Sequence, residues 1–485
     1  MRNILLVVVL LAEVLLGSCV LNEDSEDQGK TYGYSWESII SHPVPDWFND
    51  AKLGIFIHWG PQSIWDGPWR AYQDTGRYYA GIREKFGETP PEFGYKDVIP
   101  MFRAENWDPE EWADLFEKAG ARYVILTGEH HDGFMLSESG LTEWCTTSKG
   151  PMRDLVGDLG KAVRAKGIKY APSYHRERHA GMFSKEKYIA KSPPCDDIAE
   201  EIERMSEAED LYGPFEYNED FYDSFVSRWK EWEKKYHPDF MWIDDIPFFY
   251  HDAESPQVDI YRERCMKMIA DYLNMAEECG KEVYFNNKGR AEPNWPAGAG
   301  CFEYDMANYD TIVQTKWQCP MTMGHTWFYN ELEDRENLYK SPAELVHLLC
   351  DITSKNGNLL LNVGPRPDGT IAGGMVKRLL ALGDWLELNG EAIYGTRPWI
   401  RFKQDDPEIR FTQRDNDLYA ILFDKPGRTV LVKSAGKWAE GKIADIRLLG
   451  NDNPVKWKRK GDDLEIYLLP VNNGEHAWVL KISRK

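Results

Sequence analysis

The chain has 485 residues, too many for one small domain and enough for a large barrel plus a smaller module. Hydrophobic residues make up 42% and charged residues 28%, which excludes a disordered or fibrous chain. The net charge of −22 excludes a nucleic-acid binder, because so acidic a surface repels phosphate backbones and anionic lipid.

The N-terminus reads as an export signal. Arg2 precedes an apolar run that ends at Leu16, too short to span a membrane, with Glu13 an unusual interruption. Leu15-Leu16-Gly17-Ser18-Cys19 resembles a bacterial lipoprotein processing box. Residues 1–18 are therefore expected to be a signal peptide and Cys19 the lipidated mature N-terminus. An acidic linker with Glu23, Asp24, Glu26 and Asp27 fills 19–35. The expected location is the periplasm or cell surface, with membrane attachment only through that lipid. Of 8 cysteines, setting Cys19 aside leaves an odd number with no disulfide framework and no CxxC zinc signature. They are expected to be small buried hydrophobes.

Short apolar strands then alternate with amphipathic helices. Strands are expected at Leu53–Trp59, Tyr123–Thr127, Ile168–Tyr174, Phe240–Asp244 and Glu282–Asn286. Weaker ones fall at Cys301–Tyr304 and Met321–Phe328, and a last one at Asn358–Val363. The expected helices between them are Pro109–Ala119, Leu155–Lys166, Phe221–Tyr236, Tyr261–Cys279 and Ala343–Lys355. This alternation predicts an α/β fold, an irregular (β/α)8 TIM-like barrel over 36–395. After Pro398 the pattern changes to short alternating strands, such as Ile409–Gln413 and Asp417–Phe423. They predict a C-terminal β-sandwich over 396–485.

Polar residues cluster where the barrel strands end: His58, His130, His131, Tyr174, Asp244, Asn286 and Glu303. Barrel sites lie at that C-terminal mouth. Asp244 shares a strand face with Trp242, whereas Asp245 faces the other way. A carboxylate beside an aromatic suits attack on an anomeric carbon. Glu303 is the candidate second carboxyl group, although a surface glutamate has the same sequence signature. Adjacent His130 and His131 should diverge, so shared ligation of one metal is not expected. His175 and His179 are four apart but lack a third ligand, so no metal and no cofactor is expected.

Four segments together resemble the α-L-fucosidase family, glycoside hydrolase family 29. They are Trp47–Gly60, His130–Phe134, Asn358–Asp368 and Asn389–Tyr394. The resemblance implies a retaining exo-glycosidase without a metal, acting on terminal α-L-fucose of oligosaccharides or glycoconjugates. It implies Asp244 as nucleophile and Glu303 as acid/base. His58, His130 and His131 would hold sugar hydroxyls, with Tyr174 in the pocket. Phe56 and Trp327 would face the C5 methyl group, and Trp59 and Lys288 would complete the substrate-binding set.

Several positions depart from the family pattern. Arg77-Tyr78 stands where Glu-Trp is frequent, Lys288 where Arg is, Trp317-Gln318 where Trp-Glu is, and His175 where Ser is common. Arg77, Lys288 and His175 together suggest a cationic cluster for sulfated or acidic substrates, unless Arg77 and Lys288 pair with acids such as Asp74 and Glu292. Two rivals remain: an exo-hydrolase of a related sugar such as α-L-galactose, and an inactive surface glycan-binding lipoprotein.

Overall fold

Eight strands carry the apolar runs: β1 Leu53–Ile57, β2 Tyr123–Glu129, β3 Lys169–Tyr174, β4 Phe240–Ile243, β5 Tyr284–Lys288, β6 Cys301–Glu303, β7 Trp317–Thr322 and β8 Gly357–Val363. In the computed structural model each pairs in parallel with its sequence neighbour, and β8 closes on β1. The structure describes residues 31–65, 77–88, 92–180, 208–213, 217–244, 256–288, 295–439, 442–451, 455–470 and 474–485. The expected signal peptide, Cys19 and most of the expected acidic linker lie outside these residues, as do Asp74, Asp245, Glu292 and the side chain of Arg77.

The strands read as continuous apolar runs because both faces are covered. Phe56, Ile125, Ala171, Phe240, Trp242 and Leu360 fill the barrel interior. Ile55, Val124, Leu126, Met241 and Leu361 face the surrounding helices. Those helices are Pro109–Lys118, Leu155–Ala165, Glu219–Tyr236, Pro256–Glu278, Pro342–Ser354 and Gly373–Asn389. Their starts are set by local chemistry. Asp108, Asp154 and Asn218 each accept a first-turn amide, and Ser341 with Glu344 forms a capping box.

A short helix, Asp46–Ala51, plugs the N-terminal end of the barrel. Its Phe48 ring packs 5.2 Å from both Phe240 and Tyr284. The opposite mouth is left for chemistry.

Two strand expectations need correction. The seventh strand is Trp317–Thr322, not Met321–Phe328. Gln318 and Pro320 broke the apolar pattern that marks a strand, while Trp327 and Phe328 pack beside His58 at the mouth. The fifth runs on to Lys288, past the expected end at Asn286.

The C-terminal module holds β9 Arg397–Asp405, β10 Glu408–Arg414, β11 Asp417–Leu422, β12 Thr429–Val432, β13 Ile443–Leu448, β14 Lys456–Lys460, β15 Asp463–Tyr467 and β16 Trp478–Arg484. They form antiparallel sheets of order β13-β16-β11-β10-β9 and β12-β15-β14. Phe411, Leu418 and Ile482 from one sheet meet Val430, Leu464 and Ile466 from the other in one core, a sandwich. Strands β9, β13 and β14 were not expected from the sequence; in β14 all five residues, Lys-Trp-Lys-Arg-Lys, are exposed and give no alternation.

Cys145, Cys265, Cys301, Cys319 and Cys350 are free and buried. Cys279 is disulfide-bonded, contrary to the expectation of buried thiols throughout. No helix among the described residues is long and apolar enough to cross a membrane.

Candidate active site

The aromatic wall starts on β1. Phe56 points into the barrel, and His58 follows two residues later on the same face. The Phe56 ring lies 4.4 Å from His58 and 6.3 Å from Trp327, and Trp327 lies 5.0 Å from His58. Phe328, which nothing in its local sequence singles out, adds an edge 4.9 Å from His130. Asn362 on β8 orders this corner. Its Nδ2 donates to the Trp327 carbonyl at 2.7 Å, so its Oδ1 faces His58 Nδ1 at 2.6 Å. An amide oxygen only accepts, so His58 carries its proton on Nδ1 and offers a lone pair on Nε2. Burial lowers the His58 pKa to about 3, which keeps the ring neutral.

Strand β2 ends in a register shift between Thr127 and Glu129. Glu129 turns away from the mouth to Arg176 at 2.8 Å and Arg228 at 2.9 Å. His130 and His131 lie beyond the last strand residue, so strand alternation does not separate them. Their rings sit 4.1 Å apart, which corrects the expected divergence. His131 Nδ1 donates to the His175 carbonyl at 2.7 Å, which leaves Nε2 toward Asp244 Oδ2 at 3.4 Å.

Asp244 follows β4 directly, its amide donating to the Tyr174 carbonyl at 2.8 Å. Lys288 at the end of β5 places Nζ 2.6 Å from Asp244 Oδ1, 3.3 Å from Glu303 Oε1 and 2.6 Å from Asp305 Oδ2. The ammonium also lies 4.6 Å over the Trp242 ring. Sharing one ammonium keeps the nearest oxygens of Asp244 and Glu303 within about 6 Å of each other. Retaining glycosidases hold their two carboxyl groups ~5–5.5 Å apart. Glu303 Oε2 accepts from Gln318 Nε2 at 2.9 Å, and Gln318 Oε1 accepts from Tyr123 at 2.6 Å.

The two carboxyl groups are pushed in opposite directions. Burial raises Glu303 to about 8, against the pull of Lys288. Burial also opposes ionisation of Asp244, but Lys288, Arg178 and the His175 contact outweigh it and hold the group well below the usual range. Divergent carboxyl groups in one pocket define an acid and a nucleophile.

Lys288 is therefore matched by carboxyl groups inside the site, Asp244, Glu303 and Asp305; Asp74 and Glu292 lie outside the described residues. It is not a spare cation for a sulfate group. Two other expectations also change. Tyr174 points out of the barrel: its hydroxyl donates to the Phe225 carbonyl at 2.8 Å and its ring packs 4.6 Å from Phe225. It alternates with Ser173 and His175, which face inward. Trp59 is buried among Phe102, Trp107 and Trp112 and donates to the Arg366 carbonyl at 2.8 Å, so it is core. His179 places its ring nitrogens 2.9 Å and 3.0 Å from the carbonyl oxygens of His131 and Gly213, and its one ring proton is donated to one of them.

His175 is the main site residue that strand-end reasoning passed over. Its Nδ1 lies 3.2 Å from Asp244 Oδ2 and its Nε2 2.8 Å from Ser173 Oγ. Its position two residues after the inward-facing Ser173 was the available signal.

Comparison with known proteins agrees with this geometry. The family model "Alpha-L-fucosidase" matches residues 19–391, and "Alpha-L-fucosidase C-terminal domain" matches 404–483. A tissue alpha-L-fucosidase of Bos taurus is 31% identical, covering 99% of this chain and 97% of its own. The Homo sapiens counterpart is 30% identical, with 94% and 92% covered. Among solved structures, the alpha-fucosidase of Thermotoga maritima superposes with a TM-score of 0.72 at 30% identity, covering 93% of this chain and all of that one. With both family models matching in order along nearly the whole sequence, the chain belongs to the α-L-fucosidase family.

Proposed function

We propose that the chain removes terminal α-L-fucose from glycans by a retaining, two-step displacement. The observation that carries this is the pair of buried carboxyl groups on one ammonium, one held ionised and one held protonated. Asp244 attacks the anomeric carbon as the glycosidic C–O bond breaks, and Glu303 gives its proton to the departing oxygen. Water then attacks the same carbon, Glu303 takes the water proton, and the bond to Asp244 breaks. A Thermotoga maritima relative has been solved in complex with a mechanism-based inhibitor, which suits a covalent route.

The sugar preference rests on the Phe56 and Trp327 rings. A methyl group buried there gains ~0.8 kcal/mol from desolvation. A 6-hydroxyl in its place, as in L-galactose, meets no polar partner on those rings. A screen of nitrophenyl α-L-glycosides should therefore give a higher kcat/KM for fucose than for galactose. Equal values would return the L-galactose reading.

The pH profile follows from the two shifts. Glu303 must be protonated, so kcat/KM should fall as pH rises through about 8. Asp244 must be ionised, so the acidic limb should lie below the ordinary carboxylate range. Lys288→Met removes a charge that lowers both groups, so besides losing activity it should move both limbs to higher pH. A profile whose limbs stay in place would show that Lys288 does not set them.

Attachment through Cys19 belongs to the same proposal, supported by Leu-Gly-Ser-Cys ahead of an acidic linker. A palmitate analogue fed to expressing bacteria should label the wild type and not Cys19→Ala. Equal labelling of both would refute an anchor at that residue.

A further inference from the structure

His131, His175 and Asp244 form a group whose ligand atoms lie within 4.8 Å of one another. The contacts inside it are unusual for hydrogen bonds. His131 Nδ1 faces a carbonyl oxygen at 2.7 Å, which only accepts, so the neutral ring carries its proton there. Its Nε2 lies 3.4 Å from Asp244 Oδ2 and carries no proton to donate to it. His175 Nδ1 lies 3.2 Å from the same oxygen without completing a regular hydrogen bond to it. The other His175 nitrogen lies 2.8 Å from Ser173 Oγ, a hydroxyl able to take its proton.

These features match a tetrahedral metal centre. Ligands 2.0–2.1 Å from a zinc ion stand about 3.3 Å from one another and aim at a point off the line joining them. The second nitrogen of each ligating imidazole ordinarily donates to a carbonyl, carboxylate or similar group, as both can here. Two imidazoles and one carboxylate complete three positions and leave a fourth open to water. Zinc would compete with the Lys288 and Arg178 charges for Asp244, which favours weak, reversible binding.

We propose that His131, His175 and Asp244 bind a zinc ion reversibly, and that zinc thereby inhibits the enzyme by occupying Asp244. The inhibitory part rests on the reading of Asp244 as nucleophile; the binding part does not. Zinc is not required for turnover.

The test uses the full chain with zinc chloride. Equilibrium dialysis should find one zinc per chain, and zinc K-edge absorption should show two imidazole nitrogens and a carboxylate oxygen at ~2.0–2.1 Å. Zinc should inhibit competitively against an aryl fucoside, and a chelator should restore turnover. Removing a partner behind a ligand weakens metal binding by ~10–100-fold, so loss of a ligand in His175→Ser should raise the zinc dissociation constant by at least as much. His131→Gln should do likewise, and unchanged thermal melting without zinc confirms that both variants fold. Zinc binding equally to wild type and to both variants would overturn the proposal. So would a site that depends on His58 and His130 instead, since those two form the neighbouring group with His175. If zinc binds at this site but the chain has no fucosidase activity, the functional reading fails while the metal site stands.

Discussion

Asp244→Gly is expected to lower kcat/KM for every substrate by at least ~10⁴-fold, a barrier increase of ~5 kcal/mol or more. The nucleophile acts in both covalent steps, so leaving-group quality cannot bypass it. The replacement also frees the Lys288 ammonium from one of its three carboxylates and opens space beside His175. Azide should fit that space and attack an activated α-fucoside from the nucleophile's side, giving the β-azide. Melting should change little against so large a loss of rate. If the variant keeps most of its activity, attack comes from elsewhere. Asp245→Ala is the control, and it should retain most activity.

Glu303→Ala is expected to divide substrates by their leaving groups. An acid contributes ~10²–10⁴-fold where the departing oxygen needs a proton, and little where it does not. Natural glycans should therefore suffer far more than an activated aryl fucoside. On the aryl substrate the glycosyl-enzyme still forms, but its hydrolysis lacks a base and the intermediate accumulates. Azide then attacks without base help and should give the α-azide, by net retention. Loss of the carboxyl group should also abolish the fall in kcat/KM near pH 8. If both substrate classes slow alike, another carboxyl group supplies the proton. Glu177 would then be examined first, because burial raises it to about 8 as well and neither of its oxygens has a hydrogen-bond partner.

The barrel was legible because most of its strands are apolar on both faces. The strands that escaped or shifted are those where function or exposure interrupts that pattern. Gln318 on β7 faces Glu303, and β14 is entirely exposed. In the site, Asp244 followed from its place two residues after the inward Trp242. The opposite fates of Tyr174 and His175 follow from the same alternation, which the strand-end clustering and the family resemblance both passed over for Tyr174. The partners of Lys288 were not legible, since Asp244, Glu303 and Asp305 come from separate segments that only barrel closure brings together. Both pKa shifts depend on that closure and have no counterpart in local sequence.

Covalent attachment of the sugar to Asp244 is the claim on which the rest depends. Incubation with a 2-deoxy-2-fluoro-L-fucosyl fluoride, which slows both steps and the second most, should stall the enzyme at the glycosyl intermediate. Proteolysis and fragment mass spectrometry should then place the fluorofucosyl group on Asp244. An adduct on Asp245 or on any other residue would contradict the account, as would turnover of the reagent with no adduct at any stage.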